Sequence, residues 1–346
     1  MTIERYTDIE GLARAASYSS FQTFLEKEPN ADFFQAPEFL DFIGPVQGYR
    51  PVLFLALDGG GKVVGSLLGV YQRDGGAVKS WLSRRMVVFG GPLGDVDASD
   101  ALLQALVNDA AGQAIYVEFR NHFDTENQRV AFDRNGFTFR PHLNFLLDLE
   151  GEEVAMKKLS SNRRRQMRSS LAAGATYGEA ESEQEVNELY RLLSTLYRNK
   201  VGKPLPALDL FKRFHTSPSA RVFVVRYQGR VIGGSAGPVY RGRTSYQWYV
   251  CGDNSIKDVH SSVLATWAHI EDAARRGFTR FDFMGAGRPG QGYGVHEFKA
   301  RFGGREVCHG RYEKVLNRTL YKVGVIGLKA YHRMGGLLGK RERSIA

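Results

Sequence analysis

The sequence predicts two α/β domains with mixed sheets, built on the same plan and following one another along the chain. The chain has 346 residues, more than the roughly 100–200 residues of a single domain. Strand-like and helix-like segments alternate along its length. The segments FLALDGGGKVVGSLLGVY and FVVRYQGRVIGGSAGPVY share one order, which is an apolar strand, a polar turn and a glycine-containing strand. Both are followed by strand, helix and strand, so we interpret them as a duplicated domain.

The first half reads as a helix followed by alternating strands and helices. A short helix is predicted over residues 33–44, with Pro37 near its first turn. Apolar strands flank the turn DGGGK, and Asp-Gly between strands is a hairpin signal. The elements predicted in this half are strands over 51–57, 63–72, 86–95 and 114–120, a helix over 99–112 capped by Ser99 or Asp100, and a helix near 124–135.

The second half repeats this order after a basic segment. The run KKLSSNRRRQMR, residues 157–168, predicts a helix that Gly174 ends. The later elements are predicted as strands over 221–227, 231–240, 245–252 and 278–285, with a helix over 262–277 before the last strand.

Composition excludes several classes of protein. No stretch approaches the roughly 18 apolar residues of a membrane span, and the N-terminus lacks the apolar region of a secretory signal. The two cysteines, Cys251 and Cys308, form no CxxC pair, and the histidines show no HExxH spacing. We therefore predict a cytoplasmic protein without a disulfide framework and without a metal site.

Charge points to an anionic partner. The formal net charge is +10, and basic residues concentrate at 157–168 and again from Arg318 to Arg343. Such an excess favours a nucleic acid, a nucleotide-linked substrate or the inner membrane face. A solvated helix face explains each run equally well.

The core of the acetyltransferase-like (GNAT) fold has the order hairpin, strand, helix and strand. The chain resembles the FemABX peptidoglycan aminoacyltransferases and FemAB-like acyltransferases of bacteria, which have this fold. Four motifs carry the resemblance over nearly the whole length, namely GGPLGD, SSNRRRQMRSSLAAGA, FVVRYQGRVIGGSAG with WYVCGD, and FDFMGAG with GVHEFKARFGG. The resemblance implies two tandem GNAT-like domains over residues 1–150 and 151–315, the second with the reaction cleft. A basic C-terminal helix or tail over 316–346 would follow them.

The Phe-Lys pair of the last motif is the main catalytic candidate. In Fem-like enzymes the lysine of this pair lies at the reaction centre, and Lys299 matches it. Phe298 would anchor the segment in the core, and Gly303-Gly304 would let it turn. Asp282, at the end of a strand beside the glycine-rich loop, is a second catalytic candidate, either as a base or as a cap of the following turn.

Besides Phe298 of the Phe-Lys pair, five further positions are candidates for substrate binding. Trp248 and Tyr249 lie by analogy on a strand beside the cleft, and strand alternation lets only one of them face it. Arg198 matches a family arginine close to an acceptor phosphate or carboxylate, although an exposed basic turn explains it equally well. Arg164 and Arg168 share a helical face that could hold a diphosphate or a tRNA backbone.

Two departures from the family pattern bear on the donor. Arg120 stands where Fem transferases often carry an acidic residue, so a base there does not transfer to this chain. The long helical hairpin that some members use for tRNA is absent from the sequence. The acyl-coenzyme A alternative requires a glycine-containing pyrophosphate turn. CGDNSIKDVHSSVL lacks its glycine pair, and GGPLGDVDASDALL has Pro92 and two aspartates where phosphates would lie.

These observations together predict an acyltransferase that forms an amide on an amine of a peptidoglycan precursor or another cell-envelope precursor. Aminoacyl-tRNA would be the donor, and no cofactor would be tightly bound. Peripheral contact with the inner membrane face, through the basic C-terminus, is a further expectation. The alternatives are an acyl-coenzyme A-dependent N-acyltransferase of envelope polysaccharide synthesis and a non-catalytic nucleic-acid-binding protein, for which no RNP, KH or helix-turn-helix signature is present.

Overall fold

In the computed structural model, which describes residues 1–74, 77–290 and 294–324, the chain forms two compact units. The first unit comprises Met1–Phe139 with Arg311–Ala346, and the second comprises Arg140–Gly310. The predicted domains, in contrast, had their boundaries at residues 150/151 and 315/316. Most of the predicted C-terminal tail lies outside the described residues.

The first sheet contains eight strands among the described residues, in the order β1-β2-β3-β4-β6-β16-β7, with β5 paired to β3. Its strands are β1 Thr2–Tyr6, β2 Tyr49–Leu57, β3 Val63–Gln72, β4 Arg85–Phe89, β5 Leu93–Gly94, β6 Tyr116–Arg120, β7 Thr138–Arg140 and β16 Arg311–Val315. Strand β16 pairs with β6 in antiparallel fashion, with Tyr312 opposite Phe119. This pairing explains why the chain from Arg311 belongs to the first unit.

Helices cover this sheet and fill the connections between its strands. They are α1 Ile9–Ala13, α2 Tyr18–Lys27, α3 Pro37–Ile43, α4 Ala77–Leu82, α5 Val96–Ala110 and α6 Arg129–Arg134, with a 3-10 turn at Phe33–Gln35. Helix α5 begins earlier than predicted, because the Asp95 side chain, rather than Ser99 or Asp100, accepts the hydrogen bond from Ala98 N–H at 2.8 Å. Leu102 and Leu106 of α5 are completely buried in the first core.

The second sheet also contains eight strands in the described part, in the order β15-β8-β14-β12-β11-β10-β9, with β13 paired to β11. Its strands are β8 Asn144–Asp148, β9 Thr176–Glu179, β10 Ala220–Tyr227, β11 Arg230–Tyr240, β12 Thr244–Tyr246, β13 Tyr249–Gly252, β14 Arg280–Asp282 and β15 Arg305–Val307. The helices of this unit are α7 Glu152–Lys158, α8 Ser161–Ala172, α9 Glu183–Leu196, α10 Leu208–Thr216, α11 Ser261–Arg275 and α12 Gly294–Ala300, with a π-helical turn at Tyr197–Val201.

Helix α11 is almost wholly buried and supplies the centre of the second core. Leu264, Trp267 and Ile270 are fully buried against Phe281 and Phe283. Burying one such side chain stabilises the fold by about 1.5–3 kcal/mol. This packing against α11 fixes the position of the end of β14.

The two sheets repeat one plan, as the sequence predicted. A hairpin, β2–β3 or β10–β11, is followed by an interrupted strand, a long helix and a parallel strand. The interrupted strand is β4 with β5 in the first unit and β12 with β13 in the second. The predicted single strands over 86–95 and 245–252 are therefore each divided in two.

Candidate active site

The central strands of the second sheet separate at Tyr246 and Asp282. Strand β12 pairs with β14 in parallel up to this pair, and Gln247 N–H donates to the Asp282 carbonyl at 2.8 Å. Beyond this hydrogen bond, β13 pairs with β11 instead. A gap thus opens between β13 and the segment that follows β14. Such a gap at the carboxyl end of parallel strands is where α/β folds place ligands.

Gly237 lets the strand break at this point. A Cβ atom at Gly237 would lie 1.8 Å from the carbonyl oxygen of Tyr246 and 2.9 Å from the Trp248 amide nitrogen. Only a residue without a side chain can be so close to this backbone. The glycine-rich sequence of β11 therefore shapes the gap.

Asp282 holds the loop that follows β14. Its Oδ1 accepts hydrogen bonds from Met284 N–H and from Asn144 Nδ2, both at 2.7 Å. Asn144 Oδ1 in turn accepts from Gly285 N–H at 2.7 Å. Met284 and Gly285 have φ angles of 58° and 93°, a conformation that needs such support in a non-glycine residue. Of the two predicted roles, these contacts match the cap of the turn.

Asn144 was not singled out from the sequence. It begins β8, and it links β8 to both Asp282 and Gly285. The asparagine in PHLNFLLDL carries no recognisable motif, and only strand pairing brings it next to the loop.

Lys299 reaches the same loop from α12. Its side chain is 6% exposed, and Nζ donates to the carbonyl oxygens of Phe283 and, at 2.6 Å, of Gly285. Burial lowers the pKa of the Lys299 ammonium to about 8, although the nearby Asp282 carboxylate acts in the opposite direction. The lysine of the Phe-Lys pair is thus an inward-facing cation.

Phe298 is partly buried and packs against the second core, with its ring 5.2 Å from that of Phe302. The Gly303 that follows has a φ of 85°, and a Cβ there would lie 2.3 Å from the Lys158 carbonyl oxygen. These contacts fix the end of α12 and the turn after it.

Trp248 and Tyr249 do not alternate as the predicted strand required. Trp248 lies in the break before β13, and its ring stacks on that of Tyr249 at 5.8 Å. Both rings also lie within 5.8–6.2 Å of the Phe214 ring. Tyr249 is buried, whereas Trp248 is partly exposed. The two rings lie together because regular strand geometry is interrupted here, and which of them faces the gap stays a prediction.

The predicted arginines lie on three different elements or faces. Arg198 is exposed in the π-helical turn, and Arg168 is exposed on α8. Arg164 instead donates to the carbonyl oxygens of Lys157, at 3.1 Å, and Leu159, so it caps the end of α7. Neither Arg164 nor Arg168 makes a described contact with the loop after β14.

A buried polar chain lies behind the gap. His269 of α11 is fully buried between the hydroxyls of Ser235 and Ser245, at 2.9 and 3.1 Å. Gln247 Nε2 donates to Ser235 Oγ and to Thr266 Oγ1, both at 3.1 Å. Burial lowers the His269 pKa to about 3, with a smaller contribution from Arg221, so its imidazole is neutral. This chain connects α11 to the residue at which the strands separate.

The corresponding gap of the first unit contains the protein's own side chains. Gly90 N–H donates to the Arg120 carbonyl at 2.9 Å, as Gln247 does to Asp282. A Cβ at Gly90 would lie 2.7 Å from Asp32 Oδ2, and that oxygen is 2.7 Å from His122 Nδ1. The Asp32 carboxylate therefore contacts the segments after both β4 and β6. Burial raises the pKa of Asp32, against a lowering effect of His122.

Gln35 completes this filling of the first gap. Its amide donates to the carbonyl oxygens of Leu68 and Phe89, at 3.1 and 2.8 Å, and accepts from Leu68 N–H at 2.8 Å. The side chain is fully buried. The two gaps thus differ, because the second has Asp282 and Lys299 beside it, whereas the first is filled by the side chains of Asp32, His122 and Gln35.

No group of three or more His, Cys, Asp or Glu side chains in the described ranges is arranged to hold a metal ion. No helix in the same ranges combines the length and the apolar character needed to cross a membrane.

Comparison with known proteins confirms the predicted fold. Residues 157–300 match the family model of an acetyltransferase (GNAT) domain, whereas no curated protein matches the sequence. The crystal structure of FemX is similar over 93% of this chain and 99% of its own, with 14% identity and a TM-score of 0.66. The tandem GNAT fold shared with FemX, predicted from four motifs, is therefore present here.

Two other solved structures have similar folds. A tandem GNAT protein from the clavulanic acid biosynthesis pathway matches over 91% of this chain and 99% of its own, at 11% identity and a TM-score of 0.56. L-PGS from Bacillus licheniformis matches over 90% and 96%, at 15% identity and a TM-score of 0.54. These likenesses confirm the fold, and the acetyltransferase (GNAT) domain match over residues 157–300 bears out the predicted acyltransferase class.

Proposed function

We propose that this chain transfers an aminoacyl group to an amine of a cell-envelope precursor, with a peptidoglycan precursor as the acceptor and aminoacyl-tRNA as the donor. The observation that carries the proposal is the position of Lys299. Its ammonium is buried beside the gap in the second sheet, with two of its three N–H groups donated to the Phe283 and Gly285 carbonyls. The third N–H is then oriented by the other two.

This arrangement suits acyl transfer. The acceptor amine attacks the ester carbonyl of the donor, and the carbonyl oxygen becomes an oxyanion in the tetrahedral intermediate. The C–N bond forms, the C–O bond to the tRNA ribose breaks, and the proton lost by the amine ends on the leaving oxygen. Lys299 in its charged form would stabilise the oxyanion, and a fixed donor in such a site contributes about 2.7–4 kcal/mol. Asp282 would keep the loop carbonyls in place.

The aromatic rings beside the strand break and the exposed arginines of the second unit support an acceptor with both apolar and anionic parts. The partly exposed Trp248 and the buried Tyr249 provide an aromatic wall. Arg198 and Arg168 are exposed cations on the second unit. In our proposal they hold phosphate groups of the precursor or of tRNA, which gives affinity without sequence specificity.

An acyl-coenzyme A donor is the second candidate, favoured by the GNAT domain match and by the tandem GNAT structure. Two observations argue against it. The loop before α11 carries Asp253, whose carboxylate accepts from the amide and hydroxyl of Ser255, and none of residues 253–260 has a positive φ. In the first unit, the Asp95 carboxylate already caps the α5 N-terminus. A pyrophosphate group requires free N–H groups at a helix N-terminus, and at α5 the Asp95 carboxylate already accepts from one of them.

The acceptor class and the cell location remain part of the proposal. A further structure of similar fold, at 14% identity and a TM-score of 0.53, is the C-terminal domain of a putative lysylphosphatidylglycerol synthetase from Agrobacterium fabrum, so a lipid amine or hydroxyl is the competing acceptor. Seven basic residues and one acid between Arg318 and Arg343 would favour peripheral contact with an anionic membrane face. We place the protein in the cytoplasm at that face.

The test supplies purified protein with two donor pools, charged tRNA and acyl-coenzyme A, and with a peptidoglycan-precursor mixture or lipid vesicles as acceptor. Mass spectrometry reads the product for the wild type and for Lys299→Ala. A mass increment on the precursor from charged tRNA alone, lost in Lys299→Ala, is the expected result.

Other outcomes change the assignment. An increment from the acyl-coenzyme A pool alone makes the chain an N-acyltransferase and overturns the argument from Asp253. Modified lipid without modified precursor moves the acceptor to the membrane. Salt-sensitive tRNA binding without any transfer would favour the non-catalytic nucleic-acid-binding alternative.

A further inference from the structure

The arginine run of α8 divides between three environments. Arg163 is 5% exposed and faces inward, Arg164 caps α7, and Arg165 and Arg168 are exposed. Sequence periodicity alone had drawn attention to Arg164 and Arg168. The buried member, Arg163, is the one in contact with the helix that carries Lys299.

Arg163 holds α12 through its guanidinium group. Nη2 donates to the carbonyl oxygen of Phe298 at 3.2 Å. The group also lies over two aromatic rings, 4.4 Å from the centre of Phe298 and 5.1 Å from that of Phe302. Nη1 donates to Gln166 of its own helix at 2.7 Å. One side chain thus binds the residues on either side of Lys299.

Burial of the Arg163 guanidinium is electrostatically unfavourable and destabilises the folded state. Arg163 forms no described ion pair with a carboxylate, and its buried Nε has no hydrogen-bond partner in the described part of the chain. Burial lowers the pKa of Arg163 to about 10, and the nearby Arg301 acts in the same direction. An apolar side chain of similar volume would avoid this desolvation. Charge placed at such cost is typical of functional sites.

Helix α12 needs an external support of this kind. It has only seven residues, too few to be stable alone, and it lies before the glycine turn at Gly303. A cation bound to a carbonyl in its last turn also complements the helix dipole. A second link, Ser160 N–H to the Arg301 carbonyl at 3.0 Å, holds the turn rather than the helix.

We propose that Arg163 is a positioning residue, which fixes α12 so that the Lys299 ammonium stays bound to the loop carbonyls of Phe283 and Gly285. Arg163 does not touch the reacting groups; it acts through Phe298 and Phe302. The proposal rests on the proposed function of Lys299, but the contact that it describes can be measured without any transfer reaction.

The experiment compares Arg163→Met, which keeps the length and removes the charged fork, and Arg163→Lys, which keeps the charge, with the wild type. Met167→Ala is the control, because Met167 is buried in the core on the same helix, and its loss destabilises α8 but leaves the Arg163 hydrogen bond and ring contacts in place. Proteins labelled with 13C at lysine Cε are titrated by NMR, with Lys299→Met used to assign the Lys299 signal.

In Arg163→Met we expect the Lys299 titration to move to higher pH, because a loosened α12 lets water reach the ammonium. Asp282 and Arg301, the charged neighbours on β14 and after α12, are unchanged in this variant. In the transfer assay, kcat should fall by about 10²-fold with KM almost unchanged, as for a displaced catalytic group. Arg163→Lys should have a kcat between those of Arg163→Met and the wild type, because lysine has no planar fork to lie over the rings and bind Phe298.

An unmoved Lys299 titration in Arg163→Met overturns the proposal, as does a shift of equal size in Met167→Ala. A shifted titration in a protein that transfers no acyl group would retain the positioning role of Arg163 and remove the proposed function.

Discussion

Lys299 Nζ lies 2.6 Å from the Gly285 carbonyl oxygen, and its ammonium is buried near the Asp282 carboxylate. The hydrogen bonds favour the charged form, but the loss of hydration opposes it. The result is a lysine pKa of about 8, inside the range where enzymes work.

The first prediction concerns the pH dependence of activity and stability through Lys299. If the charged ammonium stabilises the oxyanion, kcat should decline as the pH rises through about 8. Stability should change in the opposite sense. The unfolded lysine keeps its proton up to its ordinary pKa of 10.5, so unfolding takes up a proton between these values and a higher pH opposes it.

Over the full window this gain should be on the order of 3 kcal/mol, at about 1.4 kcal/mol per pH unit. Urea unfolding of the wild type and Lys299→Met from pH 7 to 10.5 measures it as the difference between the two curves. A difference that stays constant across this range would contradict the lowered pKa.

The second prediction separates the two roles considered for Asp282. Asp282→Asn keeps an oxygen for Met284 N–H, whereas Asp282→Ala removes it. If Asp282 caps the turn, the Asn variant should keep most activity and the Ala variant should lose about 1–3 kcal/mol of stability. The Asn variant should also lose activity at a lower pH than the wild type, because the carboxylate that raises the Lys299 pKa is gone.

Asn144→Ala is the matched comparison, since it removes the other side chain of the same network. The loss of stability in Asn144→Ala should be close to that in Asp282→Ala, and the two losses should not add in the double variant. Complete inactivation of a folded Asp282→Asn, with full binding of substrate, would instead assign Asp282 as the base.

The sequence predicted the plan of the fold and indicated Lys299 as a catalytic candidate because both leave local signals. A hairpin turn, an apolar period and a Phe-Lys-glycine pattern are each readable over ten residues or so. Asn144 and Arg163 left no such signal, because their roles depend on β8 pairing with β14 and on α8 packing against α12. The strand break at Gln247 was also missed, since nothing in YQWYV marks the point where pairing changes from β14 to β11.

The third prediction uses the buried imidazole of His269. Its folded pKa of about 3 lies below the ordinary 6.5, so it contributes stability above pH 6.5 that is lost as the pH falls toward 3. The limit of this loss is about 5 kcal/mol, at about 1.4 kcal/mol per pH unit. His269→Gln should be less stable at pH 7 and lose less on acidification. Urea midpoints from pH 7 to pH 4 test this, and equal slopes for the two proteins would refute it.

The fourth prediction concerns Gly237, at the point where the central strands separate. Gly237→Ala would place a methyl group 1.8 Å from the Tyr246 carbonyl oxygen, so the backbone at the break must move. We expect a loss of several kcal/mol, as for other forced overpacking at backbone. Gly178→Ala, in β9 of the same sheet, is the control. The nearest atom to a Cβ there is Arg226 Nη1 at 3.5 Å, which is ordinary contact.

Thermal unfolding of the two variants gives the comparison. Gly178→Ala should leave the melting temperature within a few degrees of the wild type, or raise it, because alanine restricts the unfolded chain. If Gly237→Ala had the same melting temperature as Gly178→Ala, the close approach of β11 to Tyr246 would not exist in solution. If Gly237→Ala alone melts early, transfer by its folded fraction should also fall, because Gln247 N–H then no longer fixes the Asp282 carbonyl where the strands part.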